Sequence, residues 1–540
     1  MPNSHAPRRL ATTTPVALAL AFACAFAFAH QPLAAQLHAP PVQFWNEGSP
    51  DLVSSLQEHV RFGAALAAGD YNCDGFDDLA VGVPEDDDNN GALADTGYVL
   101  VLYGSSDGLV AVGHQLWDQQ SLAAASEEAG DQFGEVLAAG DFDDDGCDDL
   151  AVGMPHEDIG DLTDAGGLQL IYGSSDGLAD TGNTFFRQGA GGITAAPEDF
   201  DRFGQSLAVG DFNADGIDDL ALGAPGEDIE AASAEGAGAL HVLFGSVSGL
   251  TGDDDLVLFR GSGLPGTPET GEGLATALAS ADFNPLFPGA DLAIGAPSSA
   301  AGDVADSGRV LLFSDITGSG FVAEYTQATT GVPCLAETFD QFGATLAGGD
   351  FDGDGIAELA VGSPGEDLEA AMVTNAGAVT VLDFDGDGHT LWLQDDLAPE
   401  HAEGIDEFGS ALAAGDFNAD GIDDLAIGVP KEDLGPVTAA GLVHVLHGAE
   451  GSGLSANGDQ IWIQAVDPAE DVDQFGFALA VGRFAGHSSA DLAVGAPGEA
   501  LSGNDEAGAV NVFFSRQPLL VDGFESGDTS AWSAVTLPPN

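Results

Sequence analysis

The sequence predicts an all-β protein, a seven-bladed β-propeller of four-stranded antiparallel blades that is closed by an N-terminal strand. One segment occurs seven times, with starts 66 to 71 residues apart; the sixth copy is FGSALAAGDFNADGIDDLAIGVP, from residue 408. A repeat of this length cannot bury its own apolar face, so the copies must stack or close into a ring. Four short strand-like segments per repeat, with almost no helix signals, favour a propeller.

The sixth repeat shows the predicted strands in order. Small and apolar residues alternate over 408–417, and a second short strand over 424–430 ends at Pro430. Residues 441–448 follow as the third strand and 460–465 as the fourth. The fourth strand has counterparts at 114–119, 184–189 and 390–395.

The two ends of the repeat array predict how the ring closes. The last repeat supplies only three strands and finishes at 507–515. The stretch before the first repeat, 42–63, aligns with 114–134 and so resembles a fourth strand without a blade. Pairing of residues 42–46 with the last blade would close the ring and remove its free edge. The predicted propeller domain is therefore 42–516.

The charge of the chain is strongly negative, with 89 acidic against 10 basic residues and a formal net charge of -79. A phosphate backbone would be repelled by this field, so neither nucleic acid nor an anionic membrane surface is an expected partner. Aromatic and branched residues recur within every repeat, which argues against disorder. We interpret most of the excess of acidic residues as serving to keep the protein soluble.

Residues 1–29 resemble a signal peptide. Arg8 and Arg9 precede the apolar run 16–29, which ends in the A-x-A motif of residues 27–29. The run is short for a membrane span, and no other long apolar segment follows. We therefore expect a secreted or cell-surface protein that is monomeric and has no transmembrane segment in the mature chain. The tail, 517–540, departs from the repeat. It is interpreted as a sorting or anchoring segment or as the remnant of a lost module.

The cysteines predict no disulfide framework. Cys24 would leave with the leader, and Cys73, Cys147 and Cys334 are an odd number at unrelated repeat positions. Bound metal ions, rather than disulfide bonds, are therefore expected to cross-link and stabilise the fold.

The acidic loop of the sixth repeat, DFNADGIDD, has the spacing of a calcium loop. Asp416, Asn418 and Asp420 occupy positions 1, 3 and 5, and Asp424 occupies position 9. A glycine at position 6 permits a sharp turn, and the carbonyl of Ile422 at position 7 offers another oxygen. Ca²⁺ takes six to eight oxygen ligands, and this spacing resembles the first part of an EF-hand loop.

Five repeats share this register, and we number the loops by repeat. The corresponding residues are Asp70, Asn72, Asp74, Phe76 and Asp78 in loop 1; Asp141, Asp143, Asp145, Cys147 and Asp149 in loop 2; Asp211, Asn213, Asp215, Ile217 and Asp219 in loop 3; and Asp350, Asp352, Asp354, Ile356 and Glu358 in loop 5. Asp-Gly loops are also ordinary hairpin turns. Repulsion among the carboxylates of one loop, repeated five times, favours about five bound Ca²⁺ ions.

Loops 4 and 7 have lost part of the pattern. Loop 4 keeps Asp282 and Asn284 but then has Pro-Leu-Phe, so the carboxylate of position 5 is missing. In loop 7, Arg483, Ala485 and His487 replace the first three ligands. A guanidinium at the place of the cation would indicate a structural role for the ion.

The FG opening, the D-x-[DN]-x-D-G-x-x-[DE] loop and the closing GAP resemble the FG-GAP repeats of integrin α-subunit propellers and their bacterial relatives. The resemblance covers about residues 42–516 and implies a bacterial protein. It also implies calcium loops on one face of the ring and ligand-binding loops on the other. Here those loops are 85–97 and 156–166 and their equivalents, with the acidic residues Glu85, Asp86, Glu157, Asp158, Glu227 and Asp228.

The expected function is that of a calcium-binding extracellular binding or adhesion module with an unknown protein or glycan ligand. Two alternatives stay open: a polysaccharide lyase or hydrolase, and a structural surface protein. No catalytic residue is assigned. Ser106 and Ser175 match G-x-S-x-G, but they lie at strand-to-strand turns, whereas a nucleophile elbow needs a strand-to-helix turn. No cluster of catalytic-type residues is apparent at one break in the repeat, which favours binding.

Overall fold

A computed structural model describes residues 42–515 except for short stretches between the strands. The stretches left out are 53–56, 88–92, 123–126, 303, 315, 317–319, 369–372, 385–387, 398–401, 465–468, 502–503 and 505. Within the described residues the strands form seven separate sheets, which confirms the predicted seven-bladed propeller. The predicted signal peptide, with Cys24, and the tail 517–540 lie outside the described residues.

The strands follow one another blade by blade along the chain. A first strand, β1 (Val42–Trp45), precedes blade 1. Blade 1 contains β2 (Ala65–Gly69), β3 (Asp78–Val83), β4 (Tyr98–Tyr103) and β5 (Val110–Trp117). Blade 2 contains β6 (Val136–Gly140), β7 (Asp149–Met154), β8 (Gly167–Ile171) and β9 (Thr184–Phe186). Blade 3 contains β10 (Leu207–Gly210), β11 (Asp219–Ala224), β12 (Ala239–Phe244), β13 (Thr251–Arg260) and the short β14 (Gly263–Leu264).

The remaining four blades repeat the same order. Blade 4 contains β15 (Ala277–Ala281), β16 (Asp291–Ala296), β17 (Arg309–Phe313) and β18 (Phe321–Tyr325). Blade 5 contains β19 (Thr345–Gly349), β20 (Glu358–Ser363), β21 (Ala378–Leu382) and β22 (Thr390–Trp392). Blade 6 contains β23 (Ala411–Gly415), β24 (Asp424–Val429), β25 (Leu442–His447) and β26 (Ser455–Trp462). Blade 7 contains β27 (Leu479–Gly482), β28 (Asp491–Ala496) and β29 (Ala509–Phe513).

Helix is limited to two short 3₁₀ turns, Glu230–Ala232 and Gln394–Asp396, among the described residues. Over the same part of the chain, no helical segment combines the length and the apolar character that crossing a membrane requires.

The sequence of each strand matches its place in the blade. The second strands are continuous apolar runs such as DLAVGV in β3, and all six of its residues are buried because neighbouring blades cover both faces of the sheet. The first strands are rich in alanine and glycine and line the central channel. The fourth strands lie at the outer edge and are partly exposed, as β5 is. The apolar core therefore lies between blades, and Phe62 of blade 1 packs in one cluster with Phe484 of blade 7.

The FG and GAP motifs meet where one blade touches the next. A Cβ atom on Gly82 would lie 2.0 Å from the carbonyl oxygen of Gly134, the FG glycine of the following blade. In the same way, a Cβ atom on Gly153 would lie 2.2 Å from the carbonyl oxygen of Gly204. Any side chain at these positions would push the blades apart, so glycine is required there by close backbone contact.

The N-terminal strand closes the ring, as the sequence predicts. β1 pairs antiparallel with β29, with Val42 opposite Phe513 and Trp45 opposite Val510. The strand is also joined to blade 1, because the Gln43 side chain exchanges two 3.0 Å hydrogen bonds with the backbone of Leu109. The blade 7 sheet thus has the order β1, β29, β28, β27, like the other four-stranded blades.

We predict that deleting residues 42–47 removes the cooperative unfolding transition. The deletion exposes the backbone hydrogen-bonding groups of β29, and such an edge recruits other chains. Thermal unfolding and light scattering of the truncated and full mature chains measure the effect. Deletion of 517–540 is the control and should leave both signals unchanged; equal behaviour of the two truncations would contradict the closure.

Candidate metal centres

The five intact acidic loops all connect the first strand of a blade to the second. They therefore lie on one face of the ring, which we name the acidic-loop face. The turns between third and fourth strands lie on this face too. Ser106 and Ser175 belong to such turns, between β4 and β5 and between β8 and β9, so neither occupies a nucleophile elbow. The loops between second and third strands and the connections between blades form the opposite face.

Loop 1 folds its acidic side chains inward over its own backbone. Asp70 accepts hydrogen bonds from the amides of Asp74 and Gly75, each at 2.9 Å. Asn72 Oδ1 also accepts from the Asp74 amide, at 2.9 Å, and Asp74 accepts from the Phe76 amide at 3.0 Å. Gly75 has a φ of +90°, which only glycine adopts freely. Positions 1, 3 and 5 are thereby directed toward one centre.

The same pattern recurs in the other intact loops. The position 1 carboxylate accepts the amides of positions 5 and 6 in loops 2, 3, 5 and 6, at 2.8 to 3.1 Å. Ligand oxygens of Asp141, Asp143 and Asp145 lie within 4.8 Å of one another in loop 2. Those of Asp350, Asp352 and Glu358 do so in loop 5. Clustered carboxylate oxygens are the donors that Ca²⁺ prefers, so the residues present fit this ion.

Position 9 is buried in every intact loop. One oxygen of its carboxylate accepts an amide just after the third strand in four loops: Asp78 from Gly104, Asp149 from Gly173 and Asp219 from Gly245, each at 2.8 Å, and Asp424 from Gly448 at 3.0 Å. The other oxygen of Asp78 has no well-aligned donor among the described residues. A buried oxygen without a partner is costly, and a cation would satisfy it.

Burial and the neighbouring carboxylates disfavour the charged form of these acids. Burial, and after it the charges of Asp70 and Asp74, raise the pKa of Asp78 to about 8. Burial likewise raises the pKa of Asp149 to about 8 and that of Asp219 to about 7. Glu358, which takes position 9 in loop 5, has a pKa raised to about 8 by the same cause. A bound divalent cation would reverse the effect by favouring the ionised form.

Loops 4 and 7, which lack part of the ligand pattern and which we call the worn loops, keep the acid of position 9. Asp291 and Asp491 are each about 1% exposed or less. Asp491 accepts the amides of Ser515 at 2.8 Å and Ala485 at 3.3 Å, although the loop around it lacks the other ligands. In blade 7, position 9 therefore joins the loop to the residue after the third strand without the other ligands, a role that was not predicted from the sequence.

The sequence predicts no disulfide framework, but one disulfide is present, and this corrects the expectation that metal ions alone cross-link the fold. Cys73 and Cys147 are joined, with their Cα atoms 4.7 Å apart. Cys73 is position 4 of loop 1 and Cys147 is position 7 of loop 2, and these positions touch in other blade pairs as well. A Cβ on Gly353, position 4 of loop 5, would lie 3.0 Å from Ile422, position 7 of loop 6. The spacing of 74 residues, close to one repeat, was the signal that places the two loops side by side. Cys334 is free.

Position 8 ties each loop to its neighbour, which sequence reasoning also missed. The side chain of Asp148 accepts the Asp70 amide at 2.8 Å, and its own amide donates to the Asp70 carbonyl at 3.0 Å. Asp423 makes the same two bonds to Asp350, at 3.1 and 3.0 Å. Even worn loop 7 is joined, since the Arg483 amide donates to Asp77 at 2.7 Å. Position 8 thus links the backbone of position 1, the first metal ligand, to the next blade.

Loop 6 differs from the others by a histidine. His447 Nδ1 lies 3.1 Å from an oxygen of Asp424, and this hydrogen bond raises the pKa of the His447 side chain. The imidazole comes from the end of the third strand, β25.

Five segments of the chain match the FG-GAP repeat family: residues 62–102, 133–171, 203–243, 342–382 and 408–446. They coincide with blades 1, 2, 3, 5 and 6, the blades whose acidic loops are intact. The chain is an FG-GAP repeat protein. The predicted family is thereby confirmed, and the blades that do not match are the two with worn loops.

Two groups of proteins are found among the relatives. Integrin alpha pat-2 of Caenorhabditis briggsae is 33% identical over 206 residues, 36% of this chain and 15% of the relative. Integrin alpha-5 of Xenopus laevis is 31% identical over 179 residues, 32% of this chain and 14% of the relative. Phosphatidylinositol-glycan-specific phospholipase D of Rattus norvegicus is 32% identical over 169 residues, 31% of this chain and 19% of the relative. The FG-GAP protein thus spans less than a fifth of the length of these relatives.

The acidic residues predicted to bind a ligand on the opposite face are engaged within the protein. Glu157 is 4% exposed and accepts a 2.8 Å hydrogen bond from Gln119 of the preceding blade. Glu85 pairs with Arg61 at 3.2 Å. The other four accept hydrogen bonds from nearby residues: Asp86 from the Gln57 side chain, Asp158 from the Asp164 amide, Glu227 from the Gln188 side chain and Asp228 from the Gly236 amide. These side chains stabilise the loops and blade junctions.

A glutamine–glutamate pair recurs at five blade junctions, is buried at four of them, and is replaced at another junction. The pairs are Gln119–Glu157, Gln188–Glu227, Gln327–Glu366, Gln394–Glu432 and Gln464–Glu499. Between blades 3 and 4, Arg260 and Arg309 lie there instead, 6% and 5% exposed. Both contact buried Glu272, at 3.3 and 3.7 Å, and Arg309 also pairs with Glu324 at 2.6 Å.

A second departure from the repeat lies beside the central channel. His156 is 3.4 Å from Glu135, which lines the channel, and 3.4 Å from Asp164. Neither this group nor the arginine cluster was predicted from the sequence, because both assemble from residues of different loops.

The glutamine–glutamate junction predicts a pH dependence of stability. Burial, then the charge of Asp131, raises the pKa of Glu157 to about 8, above the value of about 4.3 for an unfolded glutamate. The folded state therefore favours the protonated form, and the stabilisation is lost as pH rises through 8. In saturating calcium, the melting temperature should fall from pH 6 to pH 9.

Glu157→Gln should make this fall smaller, because it removes one of the buried acids while keeping the hydrogen bond to Gln119. The change should raise the melting temperature at pH 9 relative to the wild type. Glu58→Gln, at an exposed position, is the control and should leave the slope unchanged. A Glu157→Gln variant whose melting temperature follows the wild-type pH dependence would contradict the assignment.

Proposed function

We propose that this FG-GAP protein is a secreted, calcium-binding propeller that serves as an extracellular binding or adhesion module without catalytic activity. The observation that carries the calcium proposal is the common geometry of loops 1, 2, 3, 5 and 6. In each, the acids of positions 1 and 5 accept loop amides beside a buried acid at position 9. The position 3 side chain accepts a loop amide as well in loops 1, 2, 5 and 6. The match of these five blades to the family, and of no worn blade, supports the same division.

The proposed role of calcium is to hold the ring together on one face. Each ion would neutralise the three or four carboxylates of its loop, whose mutual repulsion otherwise opposes folding. Because position 8 joins each loop to the next, neutralising one loop would also steady its neighbour. The disulfide between Cys73 and Cys147 acts in the same direction at loops 1 and 2. Calcium is therefore proposed as a structural ion, distant from the ligand.

Ligand binding is proposed for the opposite face. Its loops differ in length and composition from blade to blade, whereas the acidic loops share one register. Variable loops on a rigid scaffold are where recognition residues concentrate. The integrin relatives support a binding role, although the match covers a small part of each of them.

Calcium titration of the mature protein should saturate near five equivalents, and the melting temperature should rise with free Ca²⁺. A site occupied only in the native state stabilises by about 2.7 kcal/mol when free ion is about 100-fold above its Kd. Asp420→Ala should remove one equivalent. Asp491→Asn, in worn loop 7, should lower the melting temperature without changing the stoichiometry. A melting curve indifferent to EDTA would rule out the calcium proposal.

The bonds made by position 8 predict that Asp423→Ala weakens calcium binding at loop 5, although Asp423 is not a ligand of that loop. The variant loses the side-chain bond to the Asp350 amide. Calorimetric titration should show weakened binding with five equivalents retained. Asp433→Ala, which removes a comparable bond on the opposite face, is the control.

Repeating the Asp423→Ala substitution in the Asp354→Ala variant shows which loop Asp423 acts on. If Asp423 acts through loop 5, its substitution should change little once Asp354→Ala has removed that site, since coupled changes are not additive. An equal effect of Asp423→Ala in both backgrounds would place its action in loop 6 alone.

A further inference from the structure

The connection between blades contains a turn with an unusual backbone. The third residue before each FG position has a positive φ, and in blades 2 and 4 it is glycine: Gly130 at 91° and Gly271 at 73°. In four other blades it is a large apolar residue. These are Phe200, Phe339, Ile405 and Val472, with φ of 67°, 75°, 77° and 73°.

These four apolar side chains are also exposed to solvent. The exposed fractions are 53% for Phe200, 60% for Phe339, 54% for Ile405 and 42% for Val472. A positive φ is unfavourable for residues with a Cβ, and for bulky or β-branched residues it is an outlier. Blades 2 and 4 show that glycine makes the same turn. The fold therefore does not need these side chains.

The turn holds each apolar residue in place. Its amide donates to a carbonyl of the neighbouring loop between second and third strands, from Ile405 to Thr374 at 3.0 Å and from Val472 to Thr438 at 2.8 Å. The next residue is a buried aspartate, and Asp473 accepts the amide of Glu470 at 2.6 Å to close the turn. The side chain is thus presented on a hydrogen-bonded frame. Strained residues held in this manner concentrate at functional sites.

Three of these residues lie at successive blade junctions on the opposite face. Phe339, Ile405 and Val472 begin blades 5, 6 and 7, and we name them the apolar arc. Acidic residues flank each one in the sequence, in the segments ETFDQ, EGIDE and EDVDQ. The aspartate of each segment's fourth position is buried, whereas the glutamate at its start is exposed in EGIDE and EDVDQ and half-buried in ETFDQ. The chain as a whole carries a net charge of -79. This setting favours cations and repels both anionic ligands and a second copy of the chain.

We propose that the apolar arc docks a polypeptide segment of a partner protein that combines basic and apolar side chains. The apolar side chains of the partner would cover Phe339, Ile405 and Val472. Its basic side chains would face the glutamates two residues before them, Glu337, Glu403 and Glu470, because the aspartates that follow the apolar residues are buried. The frame around the turns reduces the ordering cost of binding, since the contacts are already in position. The inference rests on the proposed binding function and gives it a location and a partner chemistry.

The test uses the full mature chain in calcium and a fluorescent 12-residue peptide of lysine and leucine. Two peptides of the same length, one of lysine and serine and one of glutamate and leucine, are the controls. Fluorescence anisotropy should show binding of the lysine–leucine peptide at least tenfold tighter than either control. Equal binding of the lysine–serine peptide would overturn the proposal by showing charge attraction alone.

The variant F339G/I405G/V472G should weaken binding of the lysine–leucine peptide at least tenfold. It should fold, because glycine occupies this position in two blades, and its melting temperature should equal or exceed that of the wild type. The control V247S/L286S removes exposed apolar side chains from the acidic-loop face and should bind as the wild type does. Unchanged binding by the triple variant would overturn the proposal, and the three single variants give the same test if the triple variant fails to fold.

A glycan and protein array, probed with both chains, separates this inference from the function it rests on. A ligand held equally by the wild type and the triple variant would support a binding module and overturn the apolar arc. Failure of the wild type to bind calcium would instead refute the calcium part of the proposed function. The peptide measurements would still decide whether the apolar arc is a docking site.

Discussion

A buried carboxylate at the start of each second strand is the constraint on which the rest of this propeller depends. In five blades it joins the acidic loop to the end of the third strand through an amide hydrogen bond, as Asp78 does to Gly104 and Asp491 to Ser515. All seven blades keep it, including those with worn loops. Burial of an acid disfavours its charge, so each blade must supply compensating donors or a cation. Blade 7 supplies donors, and five blades add a cage of further oxygens.

The repeat unit explains how much the sequence could predict. Blade number, the four strands, closure by β1 and the five acidic loops all follow from patterns contained within one repeat or from its fixed spacing. What could not be predicted arises between repeats. The Cys73–Cys147 bridge, the bonds of Asp423 to Asp350 and the Gln119–Glu157 junction each join residues of adjacent blades. Their partners depend on the rotation between blades, which no single repeat encodes.

The two faces of the ring follow different rules. The acidic-loop face repeats one geometry, because each loop must both hold its own oxygens and fit the loop beside it. Departures on the acidic-loop face are the incomplete loops 4 and 7, His447 and the Cys73–Cys147 bridge. Those on the opposite face are the Arg260–Arg309 cluster, the His156 group and the strained apolar residues. Most acidic side chains predicted there as ligand contacts, such as Glu157, are instead used to fix the frame. The residues that we propose for recognition combine exposed surface with a conformation that the fold itself does not require.

The central claim is that five loops of this ring hold calcium and two do not. A crystal structure of the mature protein grown in calcium, with anomalous scattering data, tests it directly. The account predicts a cation peak within the oxygens of loops 1, 2, 3, 5 and 6 and none at loops 4 and 7. Empty intact loops at saturating calcium, or peaks in the worn loops as well, would contradict it.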